Sequence, residues 1–144
     1  MGAITAILNG FKRPQFLAEQ VKAIKNQTIP AKEIMLWQNN TEGFDVNLTN
    51  TLTTGSCNRN LGVWARFAFA LNAKTEYICI FDDDTIPGSK WFENCLNTMK
   101  THEGLLGTIG LIYDRPNNYM PHIRVGWDNP NNVPVMVDIV GHAK

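Results

Sequence analysis

Three things are scarce in this sequence: an excess of charge of one sign, cysteine, and long apolar runs. Lysine plus arginine and aspartate plus glutamate balance at 13 each, which removes the electrostatic argument for a nucleic-acid partner. No apolar run reaches the roughly 20 residues that cross a bilayer, so we expect no membrane span. The three cysteines lack metal-binding spacing and no signal-like segment precedes Ile4, which predicts reduced thiols and a cytoplasmic protein.

What the sequence does contain is enough apolar material for a folded core. Hydrophobic residues make up 44% of the 144 residues and charged residues 18%, which excludes a disordered chain. A chain of this length typically forms one domain, and we find neither a linker nor a repeat. We therefore predict a single domain over residues 1–144.

The most informative stretch is an apolar run that ends in three acidic residues. Tyr77–Phe81 is apolar throughout and is followed directly by Asp82, Asp83 and Asp84. Such a run predicts a strand buried on both faces inside a parallel sheet, and ligands collect beyond the carboxyl ends of these strands. If the backbone stays extended, Asp82 and Asp84 face the same way and share one Mg²⁺ or Mn²⁺ ion. The competing interpretation is a solvated acidic turn.

Strand-like and helix-like segments alternate from Ile4 to Met99. The expected strands are Ile4–Leu8, Glu33–Gln38, a weak strand near Thr51–Thr54, Tyr77–Phe81, and, later, Leu105–Tyr113 and Pro134–Val140. Helices are expected where apolar residues recur at helical spacing: Leu17, Val21 and Ile24; Trp64, Phe67, Ala68 and Leu71; Trp91, Phe92, Cys95, Leu96 and Met99. The alternation predicts an α/β fold with a mainly parallel central sheet flanked by helices. The two late strands are separated by a loop rich in Asn and Pro, which favours antiparallel additions near the C-terminus.

A polar cluster follows each of three predicted strands. The clusters are Asn9 to Arg13, Asn39-Asn40, and the three aspartates. Because the carboxyl ends of parallel strands share one edge of the sheet, we expect the clusters to converge. Amide side chains suit a nucleobase or sugar hydroxyls, since each amide offers both a donor and an acceptor. Arg13 and Arg66 are expected to pair with phosphate or to hold the aspartates in place.

Each of these residues also has a purely structural interpretation. Arg13 is equally well a solvated loop charge, and Asn39-Asn40 are ordinary turn formers. Arg66 lies between the apolar Trp64 and Phe67, where a structural ion pair is the rival explanation. Their joint placement at strand ends is what favours a binding site.

From Ile4 to Met99 the sequence resembles the nucleotide-sugar half of a GT-A glycosyltransferase, most closely the family 2 group. The matching motifs are Ile4–Leu8 with Lys12-Arg13-Pro14, Ile34–Asn40, Asn60-Leu61-Gly62 with Ala65-Arg66, and Glu76–Asp84 with Pro87. The last of these motifs occupies the position of the DxD motif of the family. Arg66-Phe67 and Asp82–Thr85 are also similar to exostosin-like transferases, which retain the anomeric configuration that family 2 enzymes invert. The resemblance leaves the stereochemistry open.

The resemblance implies a transferase that uses a nucleotide-sugar donor and a divalent cation, Mn²⁺ or Mg²⁺. The residues that it places in the nucleotide pocket or against the donor are Asn9, Arg13, Asn39, Arg66, Asp82 and Asp83. It makes Asp84 the main metal ligand, together with Asp82. The implied partners are a nucleotide-sugar, with a UDP-sugar as first choice, and a glycan, lipid or protein acceptor. Residues 1–100 would bind the donor, and residues 101–144 would begin the acceptor side.

The late part of the chain offers one carboxylate in an apolar, strand-like context, Asp138. An inverting transferase needs a general base for the acceptor hydroxyl, usually a carboxylate, which makes Asp138 the candidate catalytic residue. The alternative is a strand-end residue that caps a backbone amide. His142 is a weaker candidate for a further metal ligand. Family members continue through further acceptor-side elements, so we expect a chain that ends at Lys144 to bind donor better than it transfers sugar.

Two other functions compete with glycosyl transfer. A nucleotide-sugar-binding module without turnover needs only the donor half. A sugar nucleotidyltransferase shares the sheet and the use of a metal, but it carries a Gly-rich, basic phosphate loop after its first strand. Asn9-Gly10-Phe11-Lys12-Arg13 is a poor version of such a loop. The sequence therefore favours glycosyl transfer.

Overall fold

The computed structural model describes residues 2–115, 118–126, 128 and 131–141. The chain divides into two compact units, Met1–Leu96 and Asn97–Lys144, and each is described by itself. In the described part, no helix is both long enough and apolar enough to cross a membrane.

The first unit is built on a parallel sheet. The elements that begin in it are β1 (Ile4–Gly10), a 3₁₀ turn (Pro14–Phe16), α1 (Leu17–Lys25), β2 (Glu33–Asn39), α2 (Val46–Thr49), β3 (Thr53–Cys57), α3 (Trp64–Ala70), β4 (Tyr77–Phe81) and α4 (Trp91–Met99). The strands lie in the order β3-β2-β1-β4, and all neighbours are parallel. This confirms the predicted α/β fold with a parallel sheet flanked by helices.

β1 is an inner strand that contributes residues to both layers of the core. All seven of its residues are buried. Its even-numbered apolar residues face a core shared with α1 and α4, while Ile7 packs with Met35 and Ala70 on the α3 side. The first of these cores also buries the predicted apolar stripe of α1, which is Leu17, Val21 and Ile24. The prediction for this helix is therefore confirmed.

β4 does not lie inside the sheet, so this part of the prediction is wrong. Among the described residues it pairs with β1 alone, and Ile78 is 45% exposed. Its apolar residues still pack on both faces of the sheet: Cys79 packs toward α1 and α4, and Ile80 packs toward α3. A continuous apolar run indicates two covered faces but does not give the number of strand partners. The sequence pattern therefore misplaced the strand.

α3 forms where it was predicted but turns its other face to the sheet. The expected apolar stripe is exposed, with Trp64 at 77%, Phe67 at 53% and Leu71 at 86%. The helix packs on β1 and β2 and buries Ala65 and Ala70 instead. Small side chains let a helix backbone approach a sheet closely, and both faces of α3 fit helical spacing. Periodicity alone therefore identified the helix and not its buried face.

The second unit holds an antiparallel sheet. Its strands are β5 (Ile109–Arg115), β6 (Asn118–Val125) and β7 (Ile139–Gly141), in the order β6-β5-β7. The predicted antiparallel additions are confirmed, although the strands expected at Leu105–Tyr113 and Pro134–Val140 begin later. The segment expected to be a loop contains β6, an edge strand in which a proline is tolerated. His142 lies outside the described residues.

Cys79 provides a test of how β4 packs against α4. The Trp91 indole N–H donates to the Cys79 sulfur at 3.3 Å, and burial raises the pKa of this thiol to about 12. At pH 8 its thiolate fraction is about one in ten thousand, and it grows as the pH rises toward 12. We expect iodoacetamide at pH 8 to modify Cys79 at least about a hundredfold more slowly in the native chain than in urea. Mass spectrometry of the alkylated peptides measures both rates, and equal rates would contradict this packing.

Candidate functional site

The carboxyl ends of β1, β2 and β4 bring the predicted polar residues to one edge of the first unit's sheet. Asn9 is the penultimate residue of β1, Asn39 is the last residue of β2, and Asp82 follows β4 directly. Because the three strands are parallel neighbours, their carboxyl ends lie at the same edge. The three polar clusters therefore follow strand ends that lie on the same side of the sheet, as expected from the sequence.

The three aspartates lie on a turn, Asp82–Thr85, called the aspartate turn below. The Thr85 N–H donates to the Asp82 carbonyl at 3.2 Å and closes the turn. The backbone is therefore not extended here, and the expected alternation of side chains along an extended strand does not apply. Asp83 and Asp84 share one partner, while Asp82 contacts a different one.

Arg13 is the common partner of Asp83 and Asp84. Its Nη1 donates to Asp83 Oδ1 at 3.1 Å and also to Asp84 Oδ2. The backbone N–H of Lys12 donates to the second oxygen of Asp83 at 2.8 Å. Two carboxylates thus converge on a single cationic nitrogen, which offsets the repulsion between them. The Arg13 side chain is 40% exposed, so solvent screens these contacts and keeps their net contribution to stability small.

Arg66 holds the remaining carboxylate of the aspartate turn. It lies in the first turn of α3 and donates from Nη1 to Asp82 Oδ1. Its side chain is only 13% exposed; burial lowers the pKa of Arg66, and the charge of Asp83 opposes that shift. Its Nε is buried and has no hydrogen-bond partner in the described residues. A desolvated guanidinium with a donor to spare is suited to bind an anionic oxygen.

Asn9 and Trp37 add two more buried polar atoms without partners in the part of the chain that is described. These atoms are Asn9 Oδ1 and Trp37 Nε1, and Asn9 is 4% exposed. The two residues are register partners on β1 and β2, so their side chains point to the same face of the sheet. Ile7, two residues before Asn9, packs with α3, which makes this the face that α3 covers. Arg66 Nε on α3 is a third such atom on this side of the sheet, which makes one acceptor and two donors without a partner. Buried polar atoms are usually paired.

Asn39 uses its amide within the protein. It is buried, its Nδ2 donates to Asn60 Oδ1 at 2.8 Å, and its Oδ1 accepts from the Leu61 N–H at 2.9 Å. Asn60 Oδ1 also accepts from the Gly62 N–H at 2.8 Å, and Gly62 has a φ of 68°, which glycine adopts without strain. Asn39 thus holds the loop that leads into α3. Its predicted contact with a nucleotide stays a prediction.

Asp138 lies in the second unit, where its carboxylate caps the backbone of β5. Its Oδ2 accepts from the Tyr113 N–H at 2.7 Å, and its own N–H donates to the Leu111 carbonyl at 2.9 Å. This is the capping role that competed with catalysis when the sequence was considered alone. A role for Asp138 as a general base stays a prediction.

The aspartate turn offers the carboxylate oxygens that Mn²⁺ and Mg²⁺ prefer as ligands. Asp83 and Asp84 already converge on one cationic atom, Arg13 Nη1. No group of three or more His, Cys, Asp or Glu side chains in the described ranges is arranged to hold a metal ion. These two carboxylates would supply only part of the ligands of such a cation, and a substrate phosphate commonly supplies others to Mg²⁺.

Two residues that the sequence analysis did not single out, Gln20 and Gln27, also reach the segment after β4. Gln20 Nε2 donates to the carbonyls of Asp82 and Thr85 at 2.6 and 3.0 Å. A signal for Gln20 was present, because it falls three residues after Leu17 inside an otherwise apolar stripe. A polar side chain in a buried stripe needs a hydrogen-bond partner.

The sequence matches the model of glycosyl transferase family 2 over residues 4–138. The chain belongs to glycosyl transferase family 2. This membership confirms the resemblance carried by the motifs between Ile4 and Met99. The similarity to exostosin-like transferases is a separate matter and stays a prediction. No curated protein sequence matched this family 2 chain.

The fold of the family 2 chain is similar to that of TarS from S. aureus. The structure of TarS 1-349 in complex with UDP aligns with a TM-score of 0.60 at 13% identity, covering 76% of this chain and 35% of that chain. A second structure of TarS 1-349 aligns with a TM-score of 0.61 at 13% identity, covering 92% of this chain and 38% of that chain. A further TarS structure aligns with a TM-score of 0.59 at 12% identity, covering 76% of this chain and 21% of that chain. These likenesses confirm the predicted GT-A fold, and the chain spans well under half of the length of each TarS chain.

Asn39 provides a test of how the loop before α3 is held. Asn39→Ala removes the hydrogen bonds of this side chain to Asn60, Leu61 and Gly62 and leaves the Leu61 N–H without its acceptor. The change should lower the free energy of unfolding by about 1–3 kcal/mol. Urea unfolding followed by circular dichroism measures this loss. The matched control is Asn58→Ala, an exposed position just before the same loop, where the change should stay within about 0.5 kcal/mol. Equal losses in both variants would contradict the assignment.

Proposed function

We propose that this chain binds a nucleoside-diphosphate sugar at the aspartate turn and supplies the donor side of glycosyl transfer. Family 2 membership supports glycosyl transfer in general terms, and it disfavours nucleotidyl transfer. The observation that carries the proposal is that unpaired buried polar atoms accompany the two guanidiniums and three carboxylates at one sheet edge. In a cluster with only a structural role, Arg66 Nε and Asn9 Oδ1 would each be expected to have a hydrogen-bond partner.

The unpaired atoms complement the parts of a nucleoside diphosphate. Arg66 Nε is a charged donor for a phosphate oxygen, and Asn9 Oδ1 accepts from a nucleobase N–H or a ribose hydroxyl. A carboxylate offers about four acceptor sites. Asp82 and Asp83 therefore retain capacity for ribose or donor-sugar hydroxyls beyond their contacts with the protein.

In this proposal Asp84 is the main protein ligand of a divalent cation, Mn²⁺ or Mg²⁺, and a neighbouring aspartate completes the protein's share. When bound, such a cation neutralises the negative charge that develops on the departing nucleoside diphosphate. Arg13 donates to Asp84 in the structure, so it has to leave this carboxylate. The diphosphate then offers its guanidinium a new anionic partner, which makes Arg13 a donor-binding residue.

UDP is the first nucleotide to test, and the acceptor we propose is a glycan, lipid or protein. One TarS structure contains UDP, and the family resemblance implied a UDP-sugar as first choice. The shared fold makes UDP a reasonable starting point without fixing the base. A panel that adds GDP, ADP and CDP covers the other bases.

A second candidate function is a donor-binding module without turnover of its own. The observation that favours it is the engagement of Asp138, whose Oδ2 accepts from the Tyr113 N–H at 2.7 Å. A carboxylate that caps a backbone amide has a structural reason to be present, which weakens the argument for a general base. Both candidate functions require the same donor site.

Calorimetric titration with UDP, with and without Mn²⁺, tests the donor site. We expect Mn²⁺ to tighten UDP binding to the wild-type chain. In Asp84→Asn the gain in UDP affinity on adding Mn²⁺ should be about tenfold or more smaller than in the wild type, because an amide brings no negative charge to the cation. The matched control is Asp114→Asn, the same change on an exposed carboxylate of the second unit, which should bind UDP as the wild type does.

Two results of these titrations would count against the proposal. Failure of the wild-type chain to bind any nucleoside diphosphate would remove the donor site altogether. An undiminished Mn²⁺ effect in Asp84→Asn would leave the donor site in place but remove the role of that aspartate.

Turnover by the wild-type chain separates the two candidate functions, and Asp138→Asn tests whether Asp138 is the general base. Loss of a general base lowers turnover by about a hundredfold to ten-thousandfold. An asparagine oxygen, in contrast, still accepts from the Tyr113 N–H and leaves residual turnover almost unchanged. We expect the second outcome because the hydrogen bond with Tyr113 gives Asp138 a structural role that an asparagine oxygen can fill. A steady-state assay with donor sugar and a competent acceptor decides, and a large loss of turnover would establish Asp138 as the base.

A further inference from the structure

Two buried glutamines, Gln20 in α1 and Gln27 just beyond its end, tie this part of the chain to the segment that follows β4. Neither residue contributes to the apolar contacts of the core. A buried amide is costly unless its donors and acceptor are paired. What each glutamine pairs with therefore indicates what it is there to hold.

Gln20 closes the aspartate turn from the side of the core. Its Nε2 donates to the Asp82 carbonyl at 2.6 Å and to the Thr85 carbonyl at 3.0 Å. The Asp82 carbonyl also accepts from the Thr85 N–H at 3.2 Å. One nitrogen therefore anchors the first and the last residue of the turn. An amide NH₂ group has two hydrogens, the number that these two acceptors require.

We propose that Gln20 is a positioning residue for donor binding. By anchoring the backbone at Asp82 and at Thr85, it sets the directions of the two carboxylates between them, Asp83 and Asp84. Gln20 contacts carbonyl oxygens of the turn and acts on these carboxylates through the backbone. Binding groups have to be held within about 0.5 Å of their productive positions by a supporting shell of this kind. The inference rests on the proposed donor site.

Gln27 performs the equivalent task further along the chain, away from the aspartates. Its Nε2 donates to the Gly88 carbonyl at 2.7 Å, and its Oε1 accepts from the Phe92 N–H at 3.1 Å. It thereby anchors the start of α4. The two glutamines are alike in residue type and burial and differ in the segment that each one holds. Gln27 is therefore the matched control for Gln20.

The experiment compares Gln20→Met with Gln27→Met. Methionine keeps the length of the side chain and removes both its donors and its acceptor, so both variants should lose stability, by about 5 °C in Tm for Gln20→Met. Gln27 makes one hydrogen bond more than Gln20, so Gln27→Met should lose at least as much. Only Gln20→Met should weaken the binding of UDP in the presence of Mn²⁺, by about tenfold. Only Gln20→Met should also speed amide hydrogen exchange in the peptide that contains Asp82–Thr85, as measured by mass spectrometry.

Each outcome of the comparison decides the proposal. Wild-type affinity in Gln20→Met, or an equal loss of affinity in Gln27→Met, overturns the positioning role. If the wild-type chain binds no nucleoside diphosphate, the proposed function fails and the positioning role fails with it, so the wild-type titration distinguishes the two failures. Should Gln20→Met not fold, Gln20→Glu carries the same test against Gln27→Glu, because a carboxyl group has at most one hydrogen to donate where the two carbonyls of the turn require two.

Discussion

Three adjacent carboxylates share one short turn because positive charge is brought to them from two other elements. Like charges this close repel, and partial burial adds a desolvation cost. Arg13, after β1, meets Asp83 and Asp84, while Arg66, on α3, meets Asp82. The ends of β1 and β4 and the first turn of α3 are therefore bound together by charge. Arg66, which provides one of the unpaired atoms of the candidate site, is held beside the sheet by its contact with Asp82.

Local patterns in the sequence predicted the elements and much of their order. The buried stripe of α1 and the strands that end at polar clusters followed from spacing and composition. The sheet position of β4 did not, because helices on its two faces require the same apolar residues that a central strand requires. The buried face of α3 was also missed, since Ala65 and Ala70 present a weaker hydrophobic signal than Trp64 and Leu71.

Contacts between distant parts of the chain account for the rest of what the sequence did not reveal. Asn39 and Asn60 are 21 positions apart, and Gln20 and Asp82 are 62 apart. A single sequence contains no local signal for such pairs. The expected sharing of a cation by Asp82 and Asp84 assumed an extended backbone, and the turn closed by Thr85 changes which carboxylates lie together. Residue types at a site were thus easier to predict than their partners.

The two guanidiniums differ in their contact with water, and this makes ionic strength a selective variable. Arg13 is 40% exposed whereas Arg66 is 13% exposed. Mobile ions screen exposed charges over about 8 Å at physiological ionic strength and act much less on buried pairs. Rising salt should therefore loosen the contacts of Arg13 first, while Arg66 keeps its hold on Asp82. The cluster then comes apart in stages, and Asp83 and Asp84 become open to cations before the fold around Asp82 is disturbed.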